Sequence, residues 1–181
     1  RRQRQMCIRD RGYLASGASF TSGKFGSAVN FDGSNDYVYN AAYHISGRYT
    51  QITMSAWVKF DSFPSSGNYE SLVNPRYDGD AFLQVDSDGK AIFGGYFYNP
   101  SGEQRVVGTT TMVTGVWYHL IGTWSEYSDK MHIYVNGTLE TEKSMSSNGY
   151  YLRSGSAYNY FGRDYNGNYM DGILDQVSIW S

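Results

Sequence analysis

Residues 117–138, WYHLIGTWSEYSDKMHIYVNGT, indicate what kind of fold the chain adopts. Apolar and polar side chains alternate in two runs, residues 118–124 and 131–135, and polar turn residues separate the runs. A period of two places successive side chains on opposite faces of a β-strand. The second run ends at Asn136-Gly137, a pair that tolerates positive φ and is frequent in hairpin turns. The stretch therefore predicts a hairpin of two strands followed by a tight turn.

The rest of the chain shows the same pattern of short strands and turns. Residues 52–60 alternate most clearly, with Ile52 on one face and Thr53 on the other, and Asp32-Gly33-Ser34-Asn35 predicts the turn of a first hairpin. No segment keeps a 3.6-residue apolar period, so helices are not expected. Many short strands in one chain predict an all-β fold, a two-sheet antiparallel β-sandwich of the jelly-roll type. Further strands are predicted over residues 70–74, 82–85, 91–98, 105–111, 138–143 and 172–180.

Composition agrees with this fold class and excludes some functions. The chain has 181 residues, of which 40% are hydrophobic and 17% aromatic, with 18 Tyr and only 3 Pro. It can bury one core, but it is too polar for insertion into a membrane. The formal net charge of −2 provides no long-range attraction for nucleic acid or for an anionic membrane surface. Neither is expected as a partner.

Residues 1–11, RRQRQMCIRDR, match nothing in the pattern that follows. Read back through the genetic code, they correspond to a transposase adapter used in sequencing libraries, so we interpret them as adapter-derived; the alternative is a natural basic arm for nucleic acid. The one cysteine, Cys7, lies in this segment, so the rest of the chain says nothing about redox compartment. We expect residues 12–181 to be a single domain and a fragment of a larger protein.

Six motifs in a fixed order resemble the concanavalin A-like lectin/glucanase superfamily, in its laminin G-like and pentraxin-like branch. The resemblance covers roughly residues 23–180 and implies a jelly roll, often used for adhesion or glycan binding within a larger extracellular protein. The fold alone does not fix the function, because it also hosts hydrolases and structural domains. The motifs are FGSAVNFDGSNDYV, ITMSAWVKF, FLQVDSDGKAIF, WYHLIGTW, MHIYVNGTLE and YFGRDY with MDGILDQVSIW. Within them, the resemblance implies that Trp57, Trp117 and Trp124 lie in the core, because they match family positions that are usually buried.

Catalysis is not expected. Retaining glycosidases place two carboxylates about 5–5.5 Å apart, and the related hydrolases carry Glu-x-Asp-x-x-Glu along one strand. No such string occurs in the chain. The nearest acidic clusters, at residues 140–142 and 86–88, lie at predicted strand ends or turns, where solvated charge is the ordinary explanation. No catalytic residue is therefore assigned.

Calcium is the candidate cofactor, because members of the superfamily often hold a structural Ca²⁺ with the aspartate of the final strand. The matching residue is Asp175, with Asp32 or the carbonyl of Gly33 as its partner; alternatively, Asp175 hydrogen-bonds backbone amides of the N-terminal hairpin. Asp164 and Asp171 are weaker candidates, since oxygen side chains recur at alternate positions in this loop, although a plain hairpin turn also explains them. Ca²⁺ requires about six to eight oxygen ligands.

Tyrosines interleaved with Asn, Ser, Gly and Arg are the candidate ligand-binding residues. A tyrosine ring can stack on a sugar while its hydroxyl group and nearby amides meet sugar hydroxyls. The alternative is that many of these rings only cover sheet surface. Asp78 and Asp80 are added because such loops at the sandwich edge bind ligands through calcium in pentraxin-like relatives. The candidate tyrosines are Tyr96, Tyr98, Tyr165 and Tyr169.

The sequence therefore predicts a non-catalytic carbohydrate-binding or adhesion module of a larger protein. Its expected partners are glycans or cell-surface glycoconjugates, or neighbouring protein domains, and its expected location is extracellular, on a cell surface or on a virion. The alternative is a purely structural or assembly domain of an adhesin or phage particle that binds no sugar. A domain associated with a glycoside hydrolase is less favoured.

Overall fold

A computed structural model describes residues 6–7, 12–40, 50–75, 81–98, 101–145 and 159–181, with the backbone alone at residues 6–7, 75, 98 and 101. These residues contain no helix that could span a membrane. The strands, in chain order, are β1 (Met6–Cys7), β2 (Tyr13–Ala15), β3 (Ser19–Ser22), β4 (Ser27–Asp32), β5 (Tyr37–Asn40), β6 (Gln51–Phe60), β7 (Tyr69–Pro75), β8 (Phe82–Asp86), β9 (Ala91–Tyr98), β10 (Ser101–Val107), β11 (Trp117–Ser125), β12 (Lys130–Val135), β13 (Thr138–Ser144), β14 (Asn159–Phe161) and β15 (Asp171–Trp180).

The strands form two antiparallel sheets that pack face to face. The eight-stranded sheet has the order β13-β12-β11-β6-β15-β4-β3, with β1 added beside β15. The seven-stranded sheet has the order β10-β9-β8-β7-β14-β5-β2. This arrangement confirms the predicted all-β jelly-roll sandwich.

The core lies between the sheets and contains the apolar side chains of the alternating strands. In β6 and β11 every second side chain is buried, beginning with Ile52 and Tyr118. Trp124 is 2% exposed and packs edge-on against Phe97 of the opposite sheet at 5.2 Å between ring centroids. The alternation therefore fixes which face of each strand points inwards, and the other face is available for binding.

The last strand occupies the middle of the eight-stranded sheet. β15 pairs with β6 along its length, while β4 pairs only with its first part, from Asp171 to Leu174. A register shift follows at Asp175, and Gln176 has a positive φ of 48°. β1 pairs with Ser178 and Ile179 beyond this bulge. That pairing does not test the adapter interpretation of residues 1–11, which stays a prediction.

Two local predictions are wrong. The turn at residues 32–35 does not join a hairpin, because β4 lies in the eight-stranded sheet and β5 in the seven-stranded sheet. The strand predicted over residues 105–111 ends at Val107, because the backbone leaves the ladder after Gly108, whose N–H still donates to the carbonyl of Ala91 at 2.7 Å. The backbone N–H groups of Thr109 and Thr110 each donate to Glu140 Oε2 at 2.7 Å. Burial alone would raise the pKa of Glu140, but these hydrogen bonds and those of the two hydroxyls lower it to about 2.

Two tryptophans that the resemblance places in the core lie on the outer face of the eight-stranded sheet. Trp57 and Trp117 alternate with buried neighbours and are half-buried. Trp57 stacks on His119, with the ring centroids 4.9 Å apart and the planes inclined by 13°. Lys24 Nζ lies 5.2 Å from the centroid of the same indole. These contacts cover Trp57 from both the strand beside it and the N-terminal loop.

Candidate functional site

A polar groove of about 330 Å³ lies on the outer face of the seven-stranded sheet. It crosses strands β7 to β10 and is closed at one end by the loop of residues 164–168. We refer to it as the polar groove. Its described lining residues are Gly67, Asn68, Tyr69, Asn74, Phe82, Gln84, Tyr96, Glu103, Arg105, Asp164, Tyr165, Asn166 and Asn168.

Strand alternation and register bring these side chains together. In β8, Leu83 and Val85 are buried in the core, so Gln84 between them points outwards. In β9, Phe97 is in the core and Tyr96 points to the other face. Tyr96 is the direct register partner of Glu103 in β10, so their side chains are neighbours on the same face.

Arg105 is the positively charged residue of the described lining, and it is held by Tyr69. Its Nη1 donates a hydrogen bond of 3.0 Å to the hydroxyl oxygen of Tyr69, and the guanidinium carbon lies 5.5 Å from the centre of that ring. Glu103 Oε1 lies 3.7 Å from the same nitrogen. The bond to Tyr69, opposed by burial and supported by nearby negative charge, raises the pKa of Arg105. The side chains of Arg105 and Tyr69 therefore meet above β9 and β8, the strands between them.

The loop of residues 164–168 is held by one buried carboxylate. Asp164 is 5% exposed, and it accepts hydrogen bonds from the backbone N–H and the side-chain amide of Asn168 at 2.9 and 2.7 Å. The backbone N–H of Asp164 donates to the carbonyl of Asn168 in return. This hairpin presents Tyr165, which is 52% exposed, at the rim of the groove. The plain-turn interpretation accounts for these contacts of Asp164.

Tyr169 lies outside the described lining of the groove, in a neighbouring aromatic cluster. The guanidinium carbon of Arg163 is 4.7 Å from the ring centre of Tyr37, 4.8 Å from that of Tyr160 and 5.5 Å from that of Tyr169. These cation–π contacts hold Arg163 over the sheet surface. A row of register partners, Asn74, Tyr160, Tyr39 and Tyr13, continues this face from the groove to the sheet edge.

The aspartates predicted to hold calcium lie at two separate places. Asp32 is the register partner of Asp171, at the start of β15. Asp175 lies four residues further along that strand, about 13 Å away at the usual rise of a β-strand. Its Oδ2 accepts the backbone N–H of Phe25 at 2.8 Å, and the carboxylate is 3% exposed. Asp175 thus pins the loop between β3 and β4 to the last strand. This is an amide contact of the kind that the alternative interpretation describes, but it comes from Phe25 and not from the turn at residues 32–35.

The other aspartates are also engaged in hydrogen bonds. Asp32 Oδ1 accepts from the N–H of Ser34 at 2.9 Å, and Asp171 Oδ2 accepts from the hydroxyl of Ser62 at 2.7 Å. Across the described ranges, no three His, Cys, Asp or Glu side chains converge as a metal site. The described side chains therefore do not fit a calcium ion by themselves, and calcium binding stays a prediction.

The structure thus brings three of the predicted residues, Tyr96, Tyr165 and Asp164, into one groove. Asp78, Asp80 and the side chain of Tyr98 lie outside the described residues. Sequence reasoning missed Tyr69, Gln84, Glu103 and Arg105. Each of these four is a polar or amphipathic residue in or beside an apolar run, which indicates that its side chain can point outwards. The sequence of one strand does not show which residues of a neighbouring strand lie beside it, so the grouping of the four could not be predicted.

A second concavity, of about 720 Å³, lies on the outer face of the eight-stranded sheet and includes Trp57, His119 and Trp180. It is broad and open. The face of Trp57 is already covered by His119, and this surface has fewer polar side chains than the polar groove.

Comparison with known proteins identifies the sequence family. A laminin G-like family model, described as the concanavalin A-like lectin/glucanases superfamily, matches residues 32–181. Comparison with curated full-length sequences gives no match. The family match confirms the resemblance drawn from the six motifs.

Solved structures share the fold at low sequence identity. The binding domain of Paraclostridial Mosquitocidal Protein 1 has a TM-score of 0.73 at 15% identity, covering 94% of this chain and 44% of its own. Domain 4 of AbnA, an extracellular arabinanase from Geobacillus stearothermophilus solved with arabinotriose, has a TM-score of 0.69 at 15% identity. The match covers 94% of this chain and 82% of the arabinanase domain chain. The botulinum neurotoxin serotype D binding domain has a TM-score of 0.70 at 14% identity, and the match covers 94% of this chain and 43% of the toxin chain. The chain thus spans less than half of the length of the two toxin chains.

Proposed function

We propose that this chain, which belongs to the concanavalin A-like lectin/glucanase superfamily, is a non-catalytic module that binds carbohydrate in the polar groove. The observation that carries the proposal is the composition of the groove, where Tyr69, Tyr96 and Tyr165 stand among five side-chain amides and the Arg105–Glu103 pair. Few classes of ligand other than sugars make use of both the flat apolar rings and the many hydrogen-bond donors and acceptors that this lining offers.

The physical chemistry of a sugar matches these groups. A pyranose or furanose ring has an apolar face of C–H groups that packs on an aromatic ring, while its hydroxyls both donate and accept hydrogen bonds. Asn and Gln side chains supply both roles from one amide. The volume of about 330 Å³ falls at the lower end of the range for small-ligand sites, on the order of 300–1,000 Å³. A short stretch of a glycan chain fits this size.

A binding role is favoured over catalysis by the state of the carboxylates. Asp164 is engaged by Asn168, and Glu103 faces Arg105. Both carboxylates of the described lining thus already have a partner, whereas a glycosidase needs two carboxylates that are free to act on the bond it cleaves. The arabinanase domain, solved with a trisaccharide, supports a module of this kind. We further propose that the module works within a larger extracellular or virion-surface protein that uses it to hold glycans or cell surfaces.

The test is affinity electrophoresis of the full chain in gels that contain soluble polysaccharides, followed by calorimetry with the best ligand. We expect Tyr96→Ala and Tyr165→Ala each to weaken binding roughly tenfold, since each removes one stacking ring. Tyr127→Ala is the matched control, because Tyr127 is 71% exposed in the turn between β11 and β12, on the other sheet. Melting temperatures are measured in parallel to detect unfolding.

Two results would count against the proposal. If no polysaccharide retards the wild-type chain, the module does not bind sugar, and a structural or assembly role takes its place. If Tyr127→Ala weakens binding as much as the groove variants do, the ligand binds elsewhere.

A further inference from the structure

We infer that the polar groove selects neutral, hydroxyl-rich glycan chains and rejects anionic ones such as uronate polymers. This inference rests on the carbohydrate-binding function proposed above and names the class of ligand. It comes from the arrangement of charges in the groove, where the cation of the described lining, Arg105, is already held by an internal partner.

The described lining of the groove carries one positive and two negative side chains, Arg105 against Glu103 and Asp164, and so has a net charge of −1. Glu103 lies 3.7 Å from the guanidinium of Arg105, and both side chains are partly exposed, at 34% and 45%. A ligand carboxylate would have to displace Glu103 or approach it closely. Displacement would break the contact between Arg105 and Glu103, and close approach would bring two negative charges together, so both cost free energy.

Tyr69 restricts Arg105 further. Its hydroxyl accepts from Nη1 at 3.0 Å and its ring lies beneath the guanidinium. The side chain is therefore held across the groove and is not free to swing outwards towards an anion. The whole chain, with a net charge of −2, adds no positive field that would attract a polyanion.

The same arrangement suits neutral hydroxyl groups. Arg105 offers N–H donors beside the carboxylate acceptors of Glu103. One of two adjacent sugar hydroxyls can therefore accept a hydrogen bond from Arg105 while the next donates one to Glu103. The amides of Asn68, Asn74 and Gln84 extend this mixed donor and acceptor surface. No group in this set prefers an anion to a neutral hydroxyl once Arg105 is paired.

The first experiment compares polymers on the full wild-type chain by affinity electrophoresis. The neutral probes are arabinan, mannan and β-glucan, and the anionic probe is polygalacturonate, each at low and at physiological salt. We expect retardation by at least one neutral polymer and none by polygalacturonate. Equal or stronger retardation by polygalacturonate would overturn this inference but leave carbohydrate binding intact, whereas no retardation by any polymer would overturn both.

The second experiment tests the role of the pair. Glu103→Gln keeps the size of the side chain but leaves the charge of Arg105 unpaired. We expect the variant to bind polygalacturonate roughly tenfold more tightly than the wild type at low salt, and to lose most of that gain at physiological salt because the site is partly exposed. The control is Glu142→Gln, the same charge change in β13 of the other sheet. An equal gain in both variants, or no gain in Glu103→Gln, would refute the assigned selectivity.

Discussion

Replacing Glu70 with glutamine is expected to make the protein more stable, and more so at pH 7 than at pH 5. Glu70 lies in β7 and is only 4% exposed. Its Oε2 is 3.5 Å from the backbone nitrogen of Asp171, so this contact joins the two sheets. Burial raises the pKa of Glu70 to about 8; the hydrogen bond from Asp171 opposes this shift and the charge of Asp171 adds to it.

The size of the effect follows from linkage between proton binding and folding. The usual pKa of a glutamate is 4.5, so between pH 4.5 and 8 the folded protein holds a proton that the unfolded chain releases. Stability therefore falls as the pH rises through this window. With pKa values of 4.5 and 8, the loss between pH 5 and pH 7 is on the order of 2.5 kcal/mol. The Glu70→Gln variant does not lose this stability, because glutamine stays neutral at every pH and can still accept a hydrogen bond from the backbone N–H of Asp171.

The assay is chemical unfolding of the wild type and Glu70→Gln at pH 5, 6, 7 and 8, with the difference in unfolding free energy plotted against pH. Taking the difference cancels the titration of every other group that the substitution leaves unchanged. Glu103→Gln, an exposed position on the same sheet, controls for the change in net charge. A difference that stays constant across this pH range would refute the reasoning, since it would mean that Glu70 is ionised in the folded protein at pH 5.

Two further predictions concern the core and the last strand. Gly122→Ala should destabilise the protein by at least about 1–3 kcal/mol, because an added Cβ would lie 2.1 Å from Cδ2 of Phe93 in the opposite sheet. Gly108→Ala, whose Cβ would make only ordinary contacts at 3.4 Å or more, is the control in thermal unfolding, and equal losses in both would contradict the packing argument. Chelation with EDTA should leave the melting temperature unchanged, because Asp175 is engaged by an amide. A fall that added Ca²⁺ reverses would instead establish bound calcium.

The fold could be predicted from the sequence because the alternation of apolar and polar residues shows, for each strand separately, which side chains are buried. The phase of β6 already places Trp57 on the face opposite to Ile52, and the structure follows this phase rather than the core position that family resemblance implies. Turn chemistry is less informative. Asp32 to Asn35 do reverse the chain locally, but the choice of sheet for the next strand depends on contacts with residues far away in sequence.

The candidate site was only partly readable for the same reason. Tyr96 and Tyr165 stand out by composition, and both line the polar groove. Arg105 and Tyr69 do not stand out, since they are 36 residues apart and meet only because β10, β9, β8 and β7 are consecutive in the sheet. Strand order and register are non-local properties, and single-strand patterns do not contain them.

The position of β15 also has a consequence for biosynthesis. The ribosome makes this strand after the fourteen other strands of the described ranges, yet it fills the gap between β6 and β4 at the centre of its sheet. Until it emerges, the nascent chain can form only two separate halves of the eight-stranded sheet, each with unpaired edges and an uncovered apolar face. Unpaired edges and uncovered apolar surface of this kind favour aggregation for as long as they stay exposed. The emergence of β15 from the ribosome is therefore the event that allows the sandwich to close.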